Sequence, residues 1–220
     1  MNEGPRFLYL HGFASGPESS KARAFAEHFA TKGLHLERLD LRQPSFEHLR
    51  FSAMMEHVRA KIGGARDRAV LFGSSLGGLT ACRVAEDDPR VAALVLMAPA
   101  FRMVERWRLR LGAEAWSHWR STGWLEQHDY ANDVKARVDY GFPEELEAID
   151  ARGDGWPDVR VPTLIVHGVN DDVVDIDLSR KWARGKRHVR LIEVDDDHEL
   201  RKSIPRIIAE SDRALTSFGL

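Results

Sequence analysis

The chain has 220 residues, 43% of them hydrophobic, which is enough to form one domain with a full core. Its 32 Lys and Arg nearly balance 34 Asp and Glu, so the net charge of -2 gives no overall field that would attract nucleic acid or an anionic membrane. A single cysteine, an N-terminus without signal-peptide character and the lack of any apolar run of membrane-spanning length predict a cytoplasmic protein with no disulfide and no membrane span.

Short apolar runs alternate with longer amphipathic segments along the chain. The runs predict six strands, at Arg6 to Leu10, Leu34 to Leu39, Ala69 to Phe72, Val91 to Met97, Thr163 to Val166 and Val189 to Val194. The segments between them predict helices at Glu18 to Thr31, Phe46 to Ile62, Leu76 to Asp87, Leu178 to Arg184 and Glu199 to Ser217. This alternation predicts an α/β protein, a three-layer α/β/α sandwich on a mainly parallel six-stranded sheet.

The alternation breaks once, between Ala98 and Val161, where over 60 residues separate two predicted strands. A plain crossover between parallel strands needs far fewer residues. We therefore expect a single domain over residues 1–220 with a cap inserted at residues 101–158.

The first part of this insertion predicts an amphipathic helix, with Met103, Trp107 and Leu111 on one face and arginines around the rest. The stretch at residues 130–150 predicts a partly exposed strand or hairpin before a last turn of helix. Tryptophans on such a helix can line an acyl pocket or attach the helix to the body, so Trp107 and Trp116 are candidates for substrate binding. The arginines predict a solvated face, with a basic rim for an anionic thioester as the alternative.

The sequence GSSLG at residues 73–77 fits G-x-S-x-G, the nucleophile elbow, in which a serine stands exposed on a sharp turn from strand to helix. The motif falls between a predicted strand and a predicted helix, as this reading requires. Only Ser75 has glycine two residues away on both sides, so Ser75 is the predicted nucleophile and Ser74 a neighbour. The alternative is a glycine-rich tight turn without chemistry.

A nucleophilic serine needs a base and an orienting carboxylate, in the chain order Ser, Asp, His for this motif. His198 comes just after the end of a predicted strand, and Asp171 follows the strand before it, with Asp172 as its alternative. Because the C-terminal ends of parallel strands lie at one edge of the sheet, we expect Ser75, Asp171 and His198 to meet there.

The first strand ends at the same edge, in the sequence YLHGF. A tetrahedral intermediate needs backbone N–H donors aimed at its oxyanion. We expect one donor from Leu76, which follows the nucleophile, and the other from Phe13, in the loop after the first strand. His11 is predicted to brace this loop and not to act as the base.

These stretches resemble those of serine hydrolases with the α/β-hydrolase fold, in particular small esterases with YLHGF after the first strand and GSSLGG at the elbow. The resemblance rests on LYLHGF at 8–13, GSSLGG at 73–78, HGVNDDVV at 167–174 and DDDHEL at 195–200. It implies hydrolysis of carboxylic esters or thioesters of small to medium acyl groups by Ser75, Asp171 and His198, without a cofactor.

Other functions are compatible with the same pattern. A serine peptidase or a C–C bond hydrolase has the same three residue types, and a binding module can keep the fold without the chemistry. The expected partner is a small acyl ester or thioester, with no nucleic acid and no metal.

Two other features have simple structural explanations. The acidic run from Asp195 to Asp197 is expected to form a solvated loop in preference to a cation site, and Cys82 is expected to be a small core residue. The sequence carries no signal of an oligomeric state.

Overall fold

The computed structural model of the chain describes residues 4–152 and 154–220. The strands of this part are β1 (Arg6–Leu10), β2 (Leu36–Leu39), β3 (Ala69–Ser74), β4 (Val91–Met97), β5 (Trp124–Asp129), β6 (Val134–Asp139), β7 (Thr163–Gly168) and β8 (Val189–Val194). Its helices are α1 (Ser20–Thr31), α2 (Phe51–Ile62), α3 (Leu76–Asp87), α4 (Met103–Thr122), α5 (Gly141–Asp150), α6 (Ile176–Ala183) and α7 (Ile204–Phe218).

Six strands form one fully parallel sheet in the order β2-β1-β3-β4-β7-β8. In this register Leu10 at the end of β1 lies beside Gly73, and Met97 at the end of β4 lies beside Val166. The C-terminal ends of the strands therefore share one edge, called here the sheet edge. Helices cover both faces, so the predicted three-layer α/β/α sandwich is confirmed.

Side chains alternate between the two faces of the sheet. On one face Phe7 and Phe72 pack with Phe29 of α1, with the ring centroids of Phe7 and Phe29 4.8 Å apart. On the other face Leu8 and Leu71 belong to a core shared with α2, α3 and the segment between β4 and β7. Because both faces are buried, the strands read in the sequence as nearly continuous apolar runs.

Some predicted boundaries are wrong by several residues. The helix predicted from Phe46 begins at Phe51. Phe46 fits the helical spacing, but it lies in an irregular loop before the helix and its side chain is buried in the core. The helix predicted from Glu199 begins at Ile204, with a proline in its first turn. Leu200 has a φ of 55°, which a right-handed helix excludes, yet its side chain is fully buried. In both places, apolar residues of a loop extend the helical pattern.

The inserted segment, residues 101–158, consists of α4, the antiparallel hairpin β5–β6 and α5. The hairpin begins earlier than the sequence predicts, and α5 runs for 10 residues where only a last turn is predicted. Backbone angles of φ 77° and ψ 166° at Gly112 break α4 into two pieces. Although α4 has 20 residues, no described helix is both long and apolar enough to cross a membrane.

The inserted segment is packed into the same core as the sheet. Trp119 is fully buried and donates its ring N–H to the carbonyl of Val138 at 3.0 Å. Polar contacts also connect the segment to the start of α2. Arg50 donates to Asp139 at 2.7 Å, and the hydroxyl of Ser52 donates to Glu145 at 2.5 Å. These contacts fix the segment against α2 on the face of the sheet that carries α3.

Candidate active site

Ser75 lies on the turn between β3 and α3 with φ 52° and ψ -115°, a strained backbone conformation for a residue with a side chain. Glycine is required on both sides. A Cβ at residue 73 would lie 2.5 Å from the carbonyl oxygen of Gly77, and a Cβ at residue 77 would collide with the main chain of Leu10. The turn leaves Ser75 partly exposed at the sheet edge, whereas Ser74 is buried.

The structure brings Ser75 together with both residues expected to meet it. Nε2 of His198 lies 3.1 Å from Oγ of Ser75, and Nδ1 of His198 lies 2.7 Å from Oδ2 of Asp171. These three residues, called here the triad, follow the ends of β3, β8 and β7, and β8 is three strands from β3. Asp172, the alternative acid, is exposed and lies outside this chain of hydrogen bonds.

The carboxylate of Asp171 is completely buried and accepts four hydrogen bonds. One oxygen accepts from His198 and from Nε2 of His167, the latter at 3.1 Å, and the other accepts from the N–H groups of Val173 and Val174 at 2.9 and 2.6 Å. Burial by itself raises the pKa of Asp171, but the hydrogen bonds from the two histidines outweigh it and hold the pKa well below its usual range. Asp171 is therefore ionised at neutral pH.

His167 is the residue at this site that the sequence analysis did not single out. It is fully buried, with Nδ1 2.8 Å from the hydroxyl of Ser179 and Nε2 2.9 Å from the carbonyl oxygen of Val174. Since a carbonyl oxygen only accepts, Nε2 carries the proton and also donates it toward Asp171. His167 thereby supports the carboxylate independently of His198. Its signal in the sequence is the stretch HGVND, in which it stands four residues before the acid.

The loop after β1 runs directly beside Ser75. A Cβ on Gly12 would lie 3.3 Å from Cβ of Ser75, so a side chain there would press on the serine. His11 holds this loop in place, since its Nε2 accepts from the N–H of Leu41 at 3.0 Å and its Nδ1 lies 2.8 Å from the carbonyl oxygen of Gly12. His11 therefore braces the loop, as expected, and stands outside the triad.

Phe13 follows in the same loop and enters an aromatic cluster shared with the inserted segment. Its ring centroid lies 4.9 Å from that of Trp107, 5.9 Å from Phe46 and 6.2 Å from Phe142. Trp107 is half-buried. On the other side of Ser75, Leu76 is the first residue of α3, so its N–H has no acceptor within the helix. Apolar surface and a free backbone donor thus lie on two sides of the serine.

Trp116, the second tryptophan predicted to bind substrate, occupies a different place. It is buried in the inserted segment, 5.5 Å from Trp119 and 5.7 Å from Tyr140 between ring centroids, with the guanidinium of Arg108 over its ring. The break at Gly112 lies between the two tryptophans, and residues nine apart lie on nearly opposite sides of a helix even without a break. The structure brings Trp107 to the loop after β1 and leaves Trp116 within the inserted segment.

Hydrogen bonds also hold the loop that carries His198. The buried carboxylate of Asp196 accepts from the N–H of Ser203 at 2.9 Å. The ammonium of Lys21, itself buried, donates to the carbonyl of Glu199 at 2.8 Å, and burial lowers the pKa of Lys21. In the part of the chain that the structure describes, no group of three or more His, Cys, Asp or Glu is placed to hold a metal ion. The acidic run before His198 acts here as a structured turn.

A groove of about 610 Å³ lies elsewhere, between α4 and α5. The residues that line it are Arg102, Val104, Glu105, Arg108, Leu109, Glu147, Asp150 and Ala151. None of the triad residues lines this groove, so it is a separate feature of the inserted segment.

The order of the strands and helices is that of the α/β-hydrolase fold. Solved structures resemble this chain over nearly its whole length. One is the alpha/beta hydrolase domain-containing protein 10 from mouse, with a TM-score of 0.79 and 21% identity over 99% of this chain and 92% of that one. Another is Est1E from Butyrivibrio proteoclasticus with ferulic acid bound, with a TM-score of 0.79 and 18% identity over 97% and 89%. At such identities the likeness concerns the fold.

The chain belongs to the uncharacterised protein family UPF0227, which it matches over residues 6–210. It is also similar to the pimeloyl-[acyl-carrier protein] methyl ester esterase of Xanthomonas campestris pv. campestris (strain B100), with 36% identity over 107 residues. That alignment covers 47% of this chain and 40% of the esterase. The likeness to this relative therefore spans less than half of the relative's length.

Proposed function

We propose that this protein is a serine hydrolase that cleaves carboxylic esters or thioesters of small to medium acyl groups. The observation that carries the proposal is the continuous chain of hydrogen bonds from Ser75 through His198 to an ionised, buried Asp171. The α/β-hydrolase fold supports the same class, and so does the likeness to a protein that is by name a methyl ester esterase.

In the first step, Oγ of Ser75 attacks the carbonyl carbon of the ester while Nε2 of His198 takes the hydroxyl proton. The hydrogen bond from Nδ1 to Asp171 keeps the imidazole in the tautomer that leaves Nε2 free to accept. Because Asp171 stays ionised, it also stabilises the imidazolium that forms. The four hydrogen bonds on Asp171 mean that the carboxylate needs no reorganisation during this step.

The negative charge of the tetrahedral intermediate falls on the former carbonyl oxygen. The N–H of Leu76 is a suitable donor to it, because it lies at the positive end of the α3 dipole and has no acceptor within the helix. The N–H of Phe13 is the second donor, since Gly12 places this loop against Ser75. Each such donor contributes about 3 kcal/mol to transition-state stabilisation in comparable sites.

Collapse of the intermediate breaks the bond to the leaving group, and His198 returns the proton to the departing alcohol or thiol. This leaves an acyl group on Oγ of Ser75. A water molecule then attacks the acyl-enzyme, with His198 again as base, and releases the carboxylic acid and free Ser75. No cofactor takes part in this proposal.

The acyl group is proposed to bind against Phe13 and Trp107, the half-buried members of the aromatic cluster, whose other members Phe46 and Phe142 are buried behind them. Trp107 reaches this cluster from the inserted segment, which is why we propose that the segment acts as a cap. Each methylene that an acyl chain buries there contributes about 0.8 kcal/mol to binding. A chain of a few methylenes is therefore bound better than acetate.

Reaction with a fluorophosphonate probe tests this proposal. We expect one label per chain on the peptide that contains Ser75, no label on Ser75→Ala, and normal labelling of the matched control Ser74→Ala. The labelled protein should no longer hydrolyse a panel of p-nitrophenyl esters of increasing acyl length. An unlabelled protein would instead favour the binding module. Cleavage of a peptide anilide but no ester would favour the peptidase.

A further inference from the structure

Arg106 is a cation on α4 of the inserted segment, directly before Trp107 in the sequence. On α4 it follows buried Met103 by three residues, so helical spacing places both on neighbouring parts of one face. The next residue, Trp107, has its ring centroid 4.9 Å from that of Phe13. Consistent with this position, Arg106 is half-buried, whereas Arg110, one turn further along α4, is exposed.

Other arginines of the inserted segment have acidic partners. Arg102 lies 2.7 Å from the carboxylate of Glu105, and Arg108 forms an ion pair with Glu147. Within residues 4–152 and 154–220, the side chain of Arg106 makes no hydrogen bond or ion pair. A guanidinium has five N–H donors, and none of those of Arg106 is fully shielded from water. The donors of Arg106 are thus available to a ligand.

Two carboxylates act on Arg106 by their charge, Asp171 of the triad and Asp175. Both are committed to other groups, since Asp171 accepts its four hydrogen bonds and Asp175 caps α6 by accepting from the N–H of Asp177 at 2.9 Å. Burial lowers the pKa of Arg106, as expected for a guanidinium partly withdrawn from water. Arg106 does not line the groove between α4 and α5, unlike Glu105 and Arg108, so it lies on a different side of α4 from that groove.

We propose that Arg106 binds an anionic group of the substrate, a carboxylate or a phosphate, while the acyl chain lies against Trp107 and Phe13. This inference rests on the hydrolase function proposed above and narrows its substrate to anionic esters or thioesters. The planar guanidinium can donate two parallel hydrogen bonds to either group, which makes it selective for this chemistry. The anion can lie at the far end of the acyl chain or in the leaving group.

Two matched pairs of substrates separate these two sources. The first pair is the p-nitrophenyl monoester of adipic acid and p-nitrophenyl hexanoate, which differ in a terminal carboxylate. The second pair is the hexanoyl thioester of 4′-phosphopantetheine and the hexanoyl thioester of pantetheine, which differ in the phosphate of the leaving group. For each pair the measured quantity is the ratio of kcat/KM for the charged substrate to that for the neutral one.

Arg106→Gln is expected to lower this ratio about tenfold in the pair that carries the recognised anion, mainly through KM, because a hydrogen-bonded charge is lost. Arg106→Lys keeps the positive charge but loses the two parallel N–H donors of the guanidinium, so it is expected to lower this ratio less. Arg110→Gln is the matched control, since it removes the same charge from an exposed position on α4, and it should leave both ratios within about twofold.

The responding pair identifies whether the anion belongs to the acyl chain or to the leaving group. Ratios that stay unchanged in Arg106→Gln, or that fall equally in Arg110→Gln, overturn the role of Arg106. In that case, hydrolysis of the neutral substrates by the wild-type protein still supports the hydrolase. A wild-type protein that hydrolyses none of the four substrates contradicts the proposed function, and the role of Arg106 with it.

Discussion

The sheet edge and the inserted segment hold their polar groups in different ways. At the sheet edge, Asp171 has four donors, Asp196 accepts from the main chain, and His11 bonds to the main chain through its ring nitrogens. In the inserted segment, aromatic rings provide much of the contact with the loop after β1, and Arg106 has no acidic partner among the residues that the structure describes. The edge is preorganised for one chemistry, whereas the segment offers apolar surface and the half-buried cation Arg106 to a ligand.

This difference assigns two properties of the proposed enzyme to two regions, the rate of the reaction to the sheet edge and the choice of substrate to the inserted segment. Groups that stabilise charge in a transition state act best when the fold has already oriented them, which is the condition at the sheet edge. Groups that select among substrates need surface and donors that the protein does not use itself, which is the condition around Trp107 and Arg106. Substitutions at the edge should therefore change kcat for every substrate, and substitutions in the segment should change the ranking of substrates.

The largest effect is expected for Asp171→Asn. An amide at this place cannot hold the imidazole of His198 in its working tautomer, so kcat should fall about 10⁴-fold for every ester tested. Asp172→Asn is the matched control, since that side chain is exposed, and it should retain most of the activity. Steady-state kinetics on one neutral ester decides between them. Equal losses in the two variants would show that the acid is misassigned.

A smaller and selective effect is expected for Trp107→Ala. Loss of the ring removes apolar surface next to Phe13, so kcat/KM for p-nitrophenyl hexanoate should fall about tenfold relative to p-nitrophenyl acetate. Trp116→Ala removes the same side chain from the interior of the segment, and it should lower stability with little change in this ratio. A chain-length ranking that stays the same in Trp107→Ala would mean that the acyl chain binds elsewhere.

Stability should depend on pH through Asp171. Because its pKa is lower in the folded protein than in the unfolded chain, its ionisation stabilises the fold above about pH 4, and this contribution is lost as the pH falls. The difference in free energy of unfolding between the wild-type protein and Asp171→Asn should therefore be largest near neutral pH and shrink below about pH 4. Denaturant titrations at several pH values measure it. A difference that is constant from neutral to acid pH would contradict the lowered pKa.

The smallest effect is expected at Cys82, which is fully buried on α3 behind the elbow. Burial raises the pKa of this thiol far above its usual range, so little thiolate is present in the folded protein. Treatment with iodoacetamide should neither label Cys82 nor reduce ester hydrolysis until denaturant is added. Rapid labelling with loss of activity under native conditions would place Cys82 within reach of the site.

The sequence predicts the sheet edge well because local sterics and chain order determine it. Gly73 and Gly77 are needed by the turn around Ser75, and the strand order carries Asp171 and His198 to the same edge. His167 is harder to recognise, because the sequence alone indicates only a core residue in a buried strand. Its hydrogen bond to Ser179 is a tertiary contact that the sequence does not show.

The inserted segment is predicted only in outline for a related reason. A single residue, Gly112, breaks the helix inside a continuous amphipathic pattern, and helical spacing does not report such a break. Trp116 is held within the segment by packing against Trp119 and Tyr140. Hydrophobic periodicity along the sequence does not show tertiary contacts of this kind. The residues proposed to select a substrate are therefore the hardest to identify from the sequence.

The central claim is that Ser75 forms a covalent acyl-enzyme. Mass spectrometry of the protein quenched with acid during turnover of p-nitrophenyl hexanoate tests it directly. The proposal predicts an added hexanoyl group on the peptide that contains Ser75, absent in Ser75→Ala and present in Ser74→Ala. A hexanoyl group on another residue, or a burst of p-nitrophenol with no modified peptide at Ser75, would contradict it.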